Sequence, residues 1–335
     1  MSYSHWFLVV DVIRSTAMAL SASSAFRLLH GIFAVYKPPG MKWKSVRDTI
    51  EIKLLQELNS LQQPPPRQKI LFLPQSNESS SATELTKVVT SVPVLADHKL
   101  VKGPSYTYMK IGAGHRLDIK SSGVFVLGIG SGNKLLTDMY EQHYTKDYTV
   151  SGMFGKATDD FSDEGKVIEK TTYKHITRDR LERVLAMIQG ANQKALLIHS
   201  HVDLKSQEAY EMAVKGKLCP MMKSPPLVLG LRCIEFNPPN FSLEIRCMHE
   251  TQQYLRKLIH EIGLELRSSA VCTKVRRIRD GPFTLDCALT HGHWDLQSVT
   301  NAIKDCKPIA TEIFKDDLEN GDEDLEGNEG RNIVT

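Results

Sequence analysis

The stretch Gly114-His-Arg-Leu-Asp-Ile-Lys-Ser-Ser-Gly-Val-Phe-Val-Leu-Gly128 sets one carboxylate, Asp118, between a basic pair and a turn, just ahead of a strongly apolar run. Beside Arg116 and Lys120 it can be a loop residue in surface ion pairs, which contribute about 0–1 kcal/mol each. Alternatively it can sit partly buried beside a cation, stay ionised and react. One basic residue with two open readings is Arg256. On a helix it lies one turn before Ile259 and two before Gly263, at the edge of an apolar stripe. That position either aims it into a cleft or leaves it on the surface.

Competing chemistries lack their residues. Gly128-Ile-Gly-Ser-Gly132 is short of a dinucleotide fingerprint, and no Walker sequence occurs. His260-Glu261 begins like H-E-x-x-H, but position 264 is Leu. His291-Gly-His293 reads as a turn. There is no G-x-S-x-G, and no cysteine sits in a nucleophile signature. The six cysteines form no C-x-x-C and read as reduced, mostly buried thiols. The expectation is a reaction that needs no cofactor and no metal.

The elements that must position these residues follow from periodicity. Gly31–Tyr36 reads as a strand stopped by Lys37-Pro-Pro-Gly40. Ser45 is the expected cap of a helix with Val46, Ile50, Leu54 and Leu58 on one face. Residues 60–95 are low in complexity apart from Leu71-Phe-Leu73 and read as a surface insertion. A helix is expected at 134–142, a strand at 147–155, and a helix at 177–190 ended by Gly190. A short helix at 206–215, strands at 226–236 and 242–248, a helix at 252–267 and a strand at 271–278 complete the reading. The irregular interleaving predicts an α+β domain over a doubly wound sheet.

The net charge of +3 is unevenly spread. Residues 316–335 carry eight acids and one base, which leaves about +10 on residues 1–315. A basic body with an acidic tail points to a polyanion such as RNA. No run of about twenty apolar residues exists, so no membrane span is expected. Residues 1–28 are poor in acids and resemble a mitochondrial presequence, with an unstructured start as the alternative.

Across residues 31–285 the chain resembles the TruB family of RNA pseudouridine synthases. Gly31–Gly40 is similar to the family's opening strand and K-P-x-G turn. Gly114-His-Arg-Leu-Asp118 with Ser122–Gly128 resembles its catalytic G-H-x-G-x-L-D segment. Lys146-Asp-Tyr-Thr-Val150 and Gly155–Asp160 resemble its K-x-Y strand and T-D-T loop. Tyr254-Leu-Arg256 with Leu258–Gly263 resembles its Y-I-R helix, and Val275-Arg-Arg277 its L-R-R strand. The wording is most similar to the family's vertebrate mitochondrial branch.

The resemblance implies a pseudouridine synthase fold, α+β with a mixed, mostly antiparallel central sheet flanked by helices and loops, and an isomerase that moves uracil from N1 to C5 attachment. It implies Asp118 as the catalytic carboxylate, Arg256 as its partner, and Tyr148 as the aromatic residue that stacks on the flipped base and assists loss of the C5 proton. His115, Leu117, Tyr254, Val275, Lys37, Lys274, Arg276 and Arg277 are the implied substrate-side residues. RNA is the implied partner in the mitochondrial matrix, messenger RNA foremost, with 16S-type ribosomal or transfer RNA as alternatives. Ribosome-assembly or RNA-granule proteins are further candidate partners, and a monomer is expected. The alternative function is an RNA-binding or ribosome-assembly factor with little turnover.

The organisation expected is a targeting segment at 1–28, a catalytic domain at 29–300 and an acidic tail at 301–335, without a PUA module. Some features depart from the family. The segment ending at Asp118 is two residues short, Ile119 replaces a proline, and His249-Glu-Thr-Gln-Gln253 lengthens the approach to Tyr254.

Overall fold

The structure is a computed structural model that describes residues 21–63, 67–75, 86–200, 206–207, 211 and 225–308. The expected helix at 206–215 and the acids from 316 onward fall outside the described residues, apart from 206, 207 and 211. The chain divides into two compact units. One comprises residues up to Leu29 with Glu51–Met109, and the other His30–Ile50 with residues from Lys110 onward.

The first unit contains helix α1 (Ala22–Leu28) and the antiparallel hairpin of β2 (Gln68–Gln75) and β3 (Thr86–Pro93). The hairpin lies in the stretch read as low-complexity insertion. A one-turn helix α3 (Lys99–Lys102) follows. Helix α2 (Trp43–Ser60) buries Val46, Ile50, Leu54 and Leu58 as its spacing predicts, but it begins two residues before Ser45.

The second unit is built on an eight-stranded sheet. Its path runs β1 (Gly31–Lys37), β5 (Ser122–Ile129), β11 (Ala270–Asp280), β6 (Lys146–Phe154), β10 (Asn240–Met248), β9 (Leu227–Asn237). Strand β4 (Ile111–Ala113) adds to β5, and β12 (Phe283–Thr284) to β11. Strands β7 (Lys156–Thr158) and β8 (Val167–Lys170) form a separate ribbon. All of these pairings are antiparallel except β5 with β11, where Ser122 and Gly123 face Arg276 and Arg277. Gly123 has φ +117°, and a Cβ there would run into the backbone of Arg277, so only glycine permits this approach.

Each half of the sheet has its own cluster. Helix α4 (Gly132–Glu141) sends Leu136 and Met139 onto Ile32, Val124 and Val126. Helices α5 (Arg178–His199) and α6 (Gln252–Glu265) pack on the other half, with Leu181, Leu185, Leu255 and Ile259 against Val150, Leu243 and Ile245. Each such side chain contributes about 1.5–3 kcal/mol when fully buried. Helix α5 runs past Gly190 to His199, because Gly190 lies in open space and carries an ordinary helical backbone. A last helix at 296–308 buries Ile303 and Cys306, so residues 301–308 belong to the folded body, not to the tail.

Candidate active site

Asp118 lies in the loop between β4 and β5, and the K-P-P-G turn holds that loop from below. The Gly40 N–H donates to the Ile119 carbonyl at 2.8 Å. The Lys37 Nζ donates to the carbonyls of Ser121 (2.6 Å), Pro38 (3.0 Å) and Ile119 (3.4 Å). Lys37 is wholly buried, and burial lowers its pKa to about 8 despite the opposing charge of Asp118. Its ammonium serves the loop's backbone and has no surface to offer a substrate.

Both carboxylate oxygens of Asp118 are engaged. Oδ1 accepts the Ser121 N–H at 2.8 Å, and Oδ2 pairs with the Arg256 guanidinium. The Asp118 side chain is 34% exposed and that of Arg256 11%. Burial pushes the Asp118 pKa up, but the hydrogen bonds from Ser121 and Arg256 outweigh it and hold it below the usual carboxylate value. The group is therefore ionised at neutral pH and still open on one side.

Arg256 owes its place to helix α6. Thr251 caps the helix by accepting the Tyr254 N–H at 3.1 Å. Leu255, Leu258, Ile259 and Ile262 turn inward, which leaves Arg256 on the flank of the stripe. Gly263 lets the helix lie close to Ala270 at the start of β11.

Two adjoining cavities open at this pair. One, about 550 Å³, is lined by Lys42, Trp43, Lys44, Leu117, Asp118 and Arg256, among others. The other, about 470 Å³, is lined by Pro39, Gly40, Arg256, Lys274 and Val275, among others. Both share Ile119, Lys120 and Arg256. Leu117 and Val275 supply buried apolar surface, and Lys274 supplies exposed charge.

Across the sheet the row Gly123, Arg277, Tyr148, Ile245 carries a second polar group. Arg277 is fully buried and donates to the carbonyls of Val124 (2.8 Å) and His115 (2.6 Å). Its charge faces Asp280 at 3.4 Å. The Asp280 carboxylate also meets the His115 Nδ1 at 3.0 Å. Burial raises the Asp280 pKa, but Arg277 and His115 prevail and bring it to about 2. Tyr148 is fully buried and donates its hydroxyl to Glu250 at 2.6 Å, and Glu250 pairs with Lys146 at 3.2 Å. Burial, then the charge of Glu250, pushes the Tyr148 phenol well above its usual pKa.

The structure thus brings Asp118, Arg256 and Leu117 to one cavity, with Val275 and Lys274 beside them. His115 is mostly buried on Asp280, and its ring packs on Tyr140 at 4.5 Å. Tyr254 is half-buried against the core, and Arg276 lies over the Tyr36 ring at 5.5 Å. Tyr148 and Arg277, expected to meet substrate, have no exposed surface. Sequence reasoning missed Trp43 and Glu250. The signal for Trp43 was a lone aromatic between two lysines after a Pro-Pro-Gly turn. Glu250 gave none, because its burial depends on Tyr148 and Lys146 from a distant strand.

Comparison with known proteins adds to this geometry. The sequence model "TruB family pseudouridylate synthase (N terminal domain)" matches residues 104–253, a span that holds Asp118 and Tyr148 and stops short of Arg256. The chain is 65% identical over 313 residues to "Pseudouridylate synthase TRUB2, mitochondrial" of Xenopus tropicalis, covering 93% of this chain and 95% of that one. It is 57% identical over 294 residues to the human protein of the same name, covering 88% and 89%. Among solved structures, "Crystal structure of the archaeal box H/ACA sRNP Nop10-Cbf5 complex" matches with a TM-score of 0.44 at 14% identity. That match covers 82% of this chain and 59% of the other. An ionised aspartate clamped by an arginine at the mouth of a cavity thus sits in a sequence 65% identical, over 93% of its length, to a pseudouridylate synthase, and the chain belongs to the TruB family of pseudouridylate synthases, isomerases that act on RNA.

Proposed function

We propose that this protein converts uridine to pseudouridine in RNA of the mitochondrial matrix, messenger RNA foremost, and that Asp118 starts the reaction. The observation that carries this reading is the Asp118–Arg256 pair, held ionised with one open flank on a cavity of about 550 Å³. The mitochondrial setting is supported by the names of the Xenopus and human relatives and by the acid-poor start of the chain.

The target uridine must leave its stack to reach a carboxylate in a cleft. Asp118 then acts on the ribose, by attack at C1′ or by removal of a ribose proton, and the N1–C1′ bond breaks. Uracil turns and rejoins C1′ through C5. The C5 proton is lost, N1 takes up a proton, and atoms and electrons balance without a redox partner. Arg256 keeps the carboxylate charged and aimed. The C5 proton leaves to solvent: Tyr148, fully buried with its hydroxyl donated to Glu250 at 2.6 Å, has no surface on the substrate and braces the sheet row beside Arg277. Lys37 and Arg277 fix the loop that carries Asp118.

Tritium release from RNA labelled at uridine C5 tests the proposal, because the new bond must expel that hydrogen. Release by the intact protein and none by Asp118→Asn is expected. No release from either, with RNA binding retained, would replace the isomerase by an RNA-binding or assembly factor.

A further inference from the structure

One wall of the Asp118 cavity has no part in moving the uracil. Trp43 begins helix α2 and lines the cavity with Lys42 and Lys44. Its indole meets Phe125 edge-on at 6.5 Å, which anchors one end of the ring. The Arg116 guanidinium lies 4.8 Å from the ring centre, and Lys44 and Arg47 stand at 5.7 and 5.8 Å. Arg47 is neutralised by Asp48 at 2.7 Å. Lys42, Lys44 and Arg116 are exposed, and none of them has an ion-pair partner among the described residues. Each cation is attracted to the π face, but together they repel one another and leave a concentrated positive potential.

Such a cluster matches a ligand with both a flat ring and a phosphate. Nucleic acid has both, and aromatic and guanidinium planes are what unstacked bases settle on. When a uridine leaves its strand for Asp118, its neighbour loses a stacking partner. We infer that the Trp43–Arg116 stack is a binding subsite for the base next to the target uridine, with Lys42 and Lys44 on the adjoining phosphates. The inference deepens the isomerase reading and rests on it for the position of the uridine.

Steady-state tritium release from C5-labelled RNA should separate binding from chemistry. Trp43→Ala is expected to raise KM about tenfold or more, with kcat little changed. Trp43→Phe keeps an aromatic face and should recover most of that loss. An abasic ribose placed on one side of the target uridine should weaken the intact protein to a similar degree and Trp43→Ala hardly at all. An unchanged KM in Trp43→Ala overturns the subsite. So does a loss in Trp43→Phe as large as in Trp43→Ala, or equal sensitivity of Trp43→Ala and intact protein to the abasic RNAs. If the intact protein releases no tritium, the isomerase reading fails separately. The Kd of the same RNAs, read by fluorescence anisotropy for the same variants, then decides the subsite.

Discussion

Two of the arginine–aspartate pairs differ mainly in their access to water. Arg256 and Asp118 meet at the mouth of a cavity, with 11% and 34% of their side chains exposed. Arg277 and Asp280 are both fully buried. The buried pair spends its hydrogen bonds on the carbonyls of His115 and Val124 and on the His115 ring, and so fixes the loop and strand that carry Asp118. The open pair makes only the contacts that keep one carboxylate charged. The same two functional groups hold structure where water is excluded and stay accessible where one flank is open.

The sharpest way to break this contrast is Asp118→Asn. Tritium release is expected to fall about a thousandfold or more, while the thermal midpoint stays close to that of the intact protein. An equal loss of stability would make Asp118 structural. Arg277→Met should do the reverse and destabilise by about 3–5 kcal/mol in urea titration, because it strands a buried carboxylate. Arg256→Lys keeps the charge but loses the planar fork, and activity is expected to drop about a hundredfold with folding retained.

Acid titration separates the pairs again. The folded pKa of Asp280, about 2, lies below the unfolded value of about 3.9, so its contribution is complete above that value. It is lost as the pH falls from about 4 through 2, about 2–3 kcal/mol in all. Asp280→Asn should remove this slope from unfolding measured by circular dichroism. The smallest effect is expected for Glu250→Gln, which keeps an acceptor for the buried Tyr148 hydroxyl but removes the charge that faces Lys146. Tritium release should change by no more than about threefold, with the loss read mainly in the thermal midpoint.

Much of this was legible along the chain. The helices carrying Val46–Leu58 and Leu255–Leu266 were visible because an apolar stripe repeats at helical spacing, and it buries as read. Asp118 and Arg256 were picked out by the family resemblance, since each alone also reads as a surface residue. The resemblance named Lys37 and Arg277 too, as substrate-side residues, but their burial and that of Glu250 were not legible, because a charged side chain reads as surface until its partners are known. Those partners come from residues 121, 115 and 148, far away in sequence. The extent of helix α5 was misjudged at Gly190, where a glycine costs about 1 kcal/mol but does not end a helix that nothing obstructs.

The parallel seam between β5 and β11 governs when the sheet can close during the chain's own synthesis. Strand β11 enters between β5 and β6, strands the ribosome finished more than a hundred residues earlier. Until residue 277 has emerged, Val124 lacks the guanidinium that joins them across 153 positions, and the two older strands have no common neighbour. Contacts of such long separation close late. A nascent chain thus carries Asp118 through the making of well over a hundred further residues before β11 closes the sheet behind it.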